Sequence, residues 1–188
     1  MSHDPALEAH EHAEHAEHAA HAQDPFISKV SITVAVLAVM AAAAGSLETV
    51  EGGRAITGSS EAVLAQDQAT DAWNEYQADS LKRHMYTIAA GAGGPDAEAY
   101  RKTVADQRKA QDKARGEAEK SEKERDHLRT ESAEHERRHH WLTGAATLIE
   151  IGIALSTVAI ITKRRTFWLG ALGLGAVGLC LFGTAYLA

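Results

Sequence analysis

Cysteine and proline are scarce in this chain of 188 residues, and each scarcity excludes something. The single thiol, Cys180, cannot form an intrachain disulfide, so redox compartment cannot be read from it. There are three prolines, and none follows Pro95; nothing of that kind interrupts a helix from there on. Lys and Arg are absent from residues 1–28. A secretory leader opens on a basic segment, so the first apolar run is expected to be a retained helix and not a cleaved signal. Elsewhere the basic residues are interleaved with acids and form no single-sign face, which gives no reason to expect nucleic-acid binding. No nucleophile–base pair, phosphate loop or cofactor fingerprint occurs, and no enzyme activity is expected.

What the chain does contain is three long apolar runs. They are Val30 to Leu47, Trp141 to Thr162 and Phe167 to Leu187. A bilayer core of ~30 Å needs about 20 apolar residues of helix, and all three runs meet that length. The second is broken only by Glu150, and the third carries no charge. The expected organisation is an acidic arm over 1–24, a first membrane helix over 25–47, a polar region over 48–140, a second membrane helix over 141–162, a basic loop over 163–166 and a third membrane helix over 167–188. Asp24 followed by Pro25 is a helix start of the usual kind.

The polar region reads as helix with two interruptions. "EGGRAITG", Glu51 to Gly58, should loosen or kink the chain. "GAGGPDAEAY", Gly91 to Tyr100, reads as a turn at 91–94 and a new helix, with Gly94 as N-cap, Pro95 at the first helical position, and Asp96 and Glu98 at the positive end of the dipole. The two arms, 48–90 and 95–140, are nearly equal in length. That suits an antiparallel helical hairpin projecting from the membrane as a coiled-coil-like stalk. The second arm repeats at 3-4 spacing through Tyr100, Val104, Gln107, Gln111, Ala114, Ala118, Ser121, Arg125, Leu128, Ser132, His135, His139 and Leu142. Ile56, Val63, Trp73, Tyr76, Leu81, Met85 and Ile88 are expected opposite it. A seam this polar holds a lone hairpin weakly, which implies self-association or a partner.

Three groups of residues can carry chemistry. In the arm, His12, His15, His18 and His21 recur every three residues, and imidazole is the commonest ligand for zinc, nickel or copper. Glu8–His12, Glu11–His15, Glu14–His18 and Glu17–His21 are also i,i+4 pairs, so an acidic, pH-responsive tail with incidental metal affinity explains the same pattern. Near the second span, His135 and His139 share a helix face, with Glu48 and Glu51 opposite if the arms pair. Those four either hold a divalent metal such as zinc or nickel, or hydrogen-bond to one another as a polar cap beside Trp141. Within the second span, Glu150 is costly in hydrocarbon unless paired, protonated or hydrated. With His139, Thr143 and Thr157 it forms a polar stripe. That stripe serves either a proton or cation step or the packing of helices and subunits. Ala171 and Gly175 illustrate how the third span permits close approach.

The arm "EHAEHAEHA", "DPFISKVSITVAVLAV" leading to "GSLETVE", "AVLAQDQATDAWNEYQADSLK", "MYTIAAGAGGP" and "HERRHHWLT" occur in this order. Together they resemble a bacterial membrane family catalogued as domain of unknown function 4337. The resemblance implies a bacterial inner-membrane protein and brings no activity, substrate or catalytic residue. The expectation is therefore an all-α, three-span membrane protein that is structural or scaffolding in function. It would be homo-oligomeric, in contact with membrane lipid, with a stalk available to an envelope protein. The alternative is an oligomeric ion-conducting or metal-handling assembly. "KRR", Lys163 to Arg165, in the short loop favours that loop and the amino arm in the cytoplasm and the stalk outside by the positive-inside rule; Arg54, Arg125, Arg129, Arg137 and Arg138 near the membrane ends of the stalk point the other way, but long loops escape the rule.

Overall fold

A computed structural model describes residues 25–187. The arm, with the Asp24 cap and the candidate ligands His12, His15, His18 and His21, lies outside the described residues. Three α-helices and no strand occur among the described residues: α1 Pro25–Gly91, α2 Ala97–Thr162 and α3 Arg165–Leu187. The protein is all-α, and each helix contains a stretch long and apolar enough to cross a membrane.

The helix boundaries depart from the sequence expectations in three places. First, α1 passes without a break through Glu51 to Gly58. Each glycine in a helix costs roughly 0.5–1 kcal/mol relative to alanine, but here two of them meet α2. A β-carbon on Gly52 would lie 3.0 Å from Nδ1 of His139, and one on Gly58 would lie 3.3 Å from Cβ of Ser132. Close packing offsets the weak propensity. Second, Gly93 and Gly94 have φ of 77° and 106°, and the first i→i−4 bond of α2 runs from Tyr100 N to Asp96 O at 3.0 Å. Asp96, not Gly94, therefore holds the N-cap, and Pro95 lies in the turn. A left-handed glycine cannot adopt the extended backbone that an N-cap needs. Third, α3 starts at Arg165, two residues earlier than its apolar run. Lys163 with φ of 52° reverses the chain between α2 and α3.

The described residues form two compact units. One holds the chain up to Ala55 and from Ala133 onward; the other is Ile56–Ser132.

The first unit packs three apolar helical segments. Val34, Leu37, Ala38 and Ala41 of α1 meet Ile149 and Ile153 of α2, with Met40 against them. Small residues let α3 close on this pair. A β-carbon on Gly178 would fall 2.7 Å from Ile149 Cγ1, and one on Gly175 2.6 Å from Leu37 Cδ2. Ala171 is fully buried beside them. The missing side chains at these glycines let α3 approach its neighbours closely. At the other end of α3, Trp168 Nε1 donates to Thr33 Oγ1 at 3.0 Å, and its ring meets Phe26 edge-on at 6.1 Å.

The second unit pairs α1 with α2 through small side chains. Gln111, Ala114, Ala118 and Ser132 of α2 are buried, and Tyr100, Val104, Gln107, Ser121, Arg125 and Leu128 are half-buried. Every expected α2 seam position of this unit is thus turned inward. The α1 side differs from expectation. Ala62, Ala65, Ala69, Ala72 and Asp79 supply its buried positions, while Ile56, Val63, Leu81, Met85 and Ile88 are exposed. Alanine seams allow close helix approach, and the neighbouring polar side chains then reach across. Trp73 Nε1 donates to Glu122 Oε1 at 2.9 Å, Arg125 Nη1 donates to Gln66 Oε1 at 2.7 Å, and Tyr86 meets Tyr100 at 5.9 Å. These partners run in opposite sequence directions.

Candidate functional site

The polar residues of the first unit collect where the apolar segments of α1 and α2 give way to charge. Helical spacing puts Glu48, Glu51 and Gly52 on one side of α1, and His135, His139 and Thr143 on one side of α2. Glu51 Oε2 and His135 Nδ1 are 2.6 Å apart, and their side chains are 5% and 15% exposed. A carboxylate only accepts, so the imidazole donates from Nδ1. Arg54 Nη1 lies 3.9 Å from the other carboxylate oxygen. Burying a carboxylate costs several kcal/mol unless it is paired and hydrogen-bonded; Glu51 has the hydrogen bond from His135 and the Arg54 guanidinium beside it.

One turn further along, His139 Nδ1 is 3.1 Å from the backbone oxygen of Glu48. A carbonyl accepts, which fixes the proton on Nδ1 and leaves Nε2 as the acceptor when the ring is neutral. Gly52 gives the ring its place against α1. The Glu48 carboxylate accepts from Thr143 Oγ1 at 2.6 Å, and Thr143 Oγ1 also lies 3.0 Å from His139 O.

The structure thus brings together the four residues that the sequence nominated as metal ligands, and divides them into separate hydrogen bonds. Glu51 engages His135, Glu48 engages Thr143, and His139 engages backbone. Among the described residues no group of three or more His, Cys, Asp or Glu side chains is arranged to hold one ion. Gly52 and Arg54 belong to this cluster and were not assigned to it from sequence. Gly52 could have been found by its i,i+4 relation to Glu48.

From Thr143 a second feature runs along α2. Thr143, Thr147, Glu150, Ala154, Thr157 and Ile161 follow one another at alternating spacings of four and three residues, and all are exposed. The opposite side of the same segment carries Leu142, Ala145, Ile149 and Ile153 into the core. Thr147 and Thr157 return their hydroxyls to backbone, at 2.8 Å to Thr143 O and 3.3 Å to Ile153 O. Glu150, expected at a helix–helix or subunit interface, faces away from the packed side of its own unit. Thr147 and Ala154 complete the stripe and were legible as the intervening 3-4 positions.

In the second unit the alanine seam opens beside Ala72 and Ser121 into a cleft of about 690 Å³, lined further by Gln68, Asp71, Glu75, Glu117, Lys120 and Glu124. Four carboxylates and one ammonium make it acidic.

A family model described as a domain of unknown function (DUF4337) matches residues 26–188. No curated protein and no solved structure matches the chain.

Proposed function

We propose, for a chain that belongs to the DUF4337 family and inherits no activity from it, a homo-oligomeric scaffold of the bacterial cytoplasmic membrane with a helical stalk for self- or partner interaction. The exposed stripe Thr143–Thr147–Glu150–Ala154–Thr157–Ile161 carries this reading. On a membrane helix, an acid near the bilayer centre costs roughly 2.5–3.5 kcal/mol by insertion scales. A second copy of the same helix offers hydroxyls, small side chains and another carboxyl group. The 3-4 spacing is that of a helix–helix seam, and small or hydroxylated residues are those that membrane helices use to meet.

The stalk is the other half of the proposal. The opposed pairs Trp73–Glu122, Gln66–Arg125 and Tyr86–Tyr100 support an antiparallel hairpin over 48–140. Ile56, Val63, Leu81, Met85 and Ile88 lie exposed within a narrow angle of α1 at helical spacing. Such a strip in a water-facing hairpin is a surface for another copy or for an envelope protein. The amino arm and the Lys163–Arg165 loop would be cytoplasmic and the stalk outside.

The test is the mass of the purified complex in nanodiscs. The parent should run as an oligomer, E150Q should keep that mass, and T147L/E150L/T157L should reduce it. A monomeric parent sinks the reading. A second reading, proton or cation handling, draws on the buried Glu51–His135 pair, whose histidine precedes Glu150 on α2. It requires flux in liposomes that E150Q abolishes while leaving the mass unchanged.

A further inference from the structure

The end of the first unit opposite the histidine cluster is strongly basic. Lys29, Lys163, Arg164 and Arg165 are all exposed there. Between residues 25 and 47, and again between 151 and 187, the sequence contains no Asp or Glu. These segments therefore bring four cations and no carboxylate of their own to this end.

The amino-terminal arm begins at the same place. Phe26 meets Trp168 at 6.1 Å, Trp168 Nε1 donates to Thr33 Oγ1 at 3.0 Å, and Thr33 Oγ1 donates to Lys29 O at 3.0 Å. These contacts fasten the first turns of α1 beside the first turn of α3, the turn that begins at Arg165. Residues 1–24 then supply Asp4, Glu8, Glu11, Glu14, Glu17 and Asp24 and no Lys or Arg. An arm of that length reaches at most ~80 Å, and the basic cluster lies within its first few residues.

We propose that the acidic amino-terminal arm docks back on the basic cluster Lys29, Lys163, Arg164 and Arg165 of its own chain. The occupant is chosen by charge and by where the described chain begins. Anionic lipid headgroups are the competitor, since a cytoplasmic surface attracts Lys and Arg at about 1 kcal/mol per residue. The arm has the advantage of tethering, which holds a short linked segment at an effective concentration of millimolar order. Each exposed ion pair is worth little, typically 0.2–1 kcal/mol, so the docked arm rests on several together. It loosens with salt as screening shortens to ~3 Å at 1 M.

The test uses the full chain carrying C180A, with cysteines at Ala20 and Thr166, in phosphatidylcholine nanodiscs. Intrachain disulfide yield is read by mass spectrometry of the linked peptides, with isotope-mixed samples separating links within a chain from links between chains. The expected result is efficient intrachain linkage at low salt, falling about threefold or more at high salt. The same fall is expected in R164Q/R165Q and in E8Q/E11Q/E14Q/E17Q. Lys163 is left in place because it forms the turn. Equal yields in the parent and both charge variants would overturn the proposal, as would linkage solely between chains. Complete loss of linkage in nanodiscs rich in phosphatidylglycerol would also overturn it and assign the cluster to lipid. The same linkage is expected in detergent micelles, so failure of the docking is separable from failure of the membrane reading.

Discussion

Nδ1 of His135 lies 2.6 Å from Oε2 of Glu51, across the two helices and nearly shut off from solvent. Removing either partner leaves the other buried without its hydrogen bond. E51A should destabilise the protein by about 1–3 kcal/mol, the usual cost of an orphaned buried polar group. E51Q keeps an accepting oxygen and should cost less. Denaturant titrations of E51A, H135A and the double variant give the coupling. A coupling indistinguishable from zero would mean that the contact contributes nothing to stability.

The approach of α3 to its neighbours depends on missing side chains. G178A puts a β-carbon 2.7 Å from Ile149 Cγ1 and 3.0 Å from the Ala145 carbonyl oxygen. A backbone carbonyl cannot move aside as a side-chain tip can, so a loss of about 1–3 kcal/mol is expected from overpacking. Gly173 has nothing within 4 Å of the same position, and G173A should be neutral or slightly stabilising. Thermal melting in one detergent compares the two. Equal melting points would show that α3 does not pack as described.

The turn gives a similar contrast. Gly93 has φ of 77°, whereas Gly91 is the last residue of α1. G93A should cost roughly 1–2 kcal/mol because a β-carbon in left-handed backbone meets the following carbonyl. G91A should be tolerated. Cysteines at Ala89 and Ala97 should form a disulfide within one chain in the parent background. Linkage between distant positions in its place would rule out the hairpin.

The strip on α1 separates folding from association. Leu81, Met85 and Ile88 are 63%, 63% and 75% exposed. Replacing the three by Ser should leave helical content unchanged by circular dichroism, because little packing inside the unit is lost. It should weaken self-association of the stalk or capture of its partner, seen as lower mass at dilution. A large loss of helix would show that these residues serve the fold itself.

Sequence periodicity carried much of the architecture and little of the chemistry. Apolar run length located all three apolar segments, and the 3-4 series on α2 named the inward residues from Tyr100 to Leu142 correctly. The α1 side failed for a physical reason. Alanine is the best helix former and puts only a methyl group on a seam, so Ala62, Ala65, Ala69 and Ala72 read as plain helix, while the larger Ile56, Val63 and Leu81 looked like core. Glu51 to Gly58 stays helical, with Gly52 and Gly58 fitted against side chains of α2, which composition cannot show. Glu48, Glu51, His135 and His139 were brought together as arm length implied. Their division into separate hydrogen bonds turns on Thr143 and on the Glu48 carbonyl, and neither is visible from the spacing of ligands.

The central claim is that two copies of the chain meet along the polar stripe of α2. Its most direct test is a cysteine scan in native membranes in the C180A background, with single cysteines at Thr147, Ala154 and Thr157 and controls at Val177 and Leu179, which are exposed on α3. The account predicts efficient disulfide-linked dimers at the three stripe positions and few at the controls. Uniformly low linkage on the stripe, or linkage no greater than at Val177 and Leu179, would contradict it.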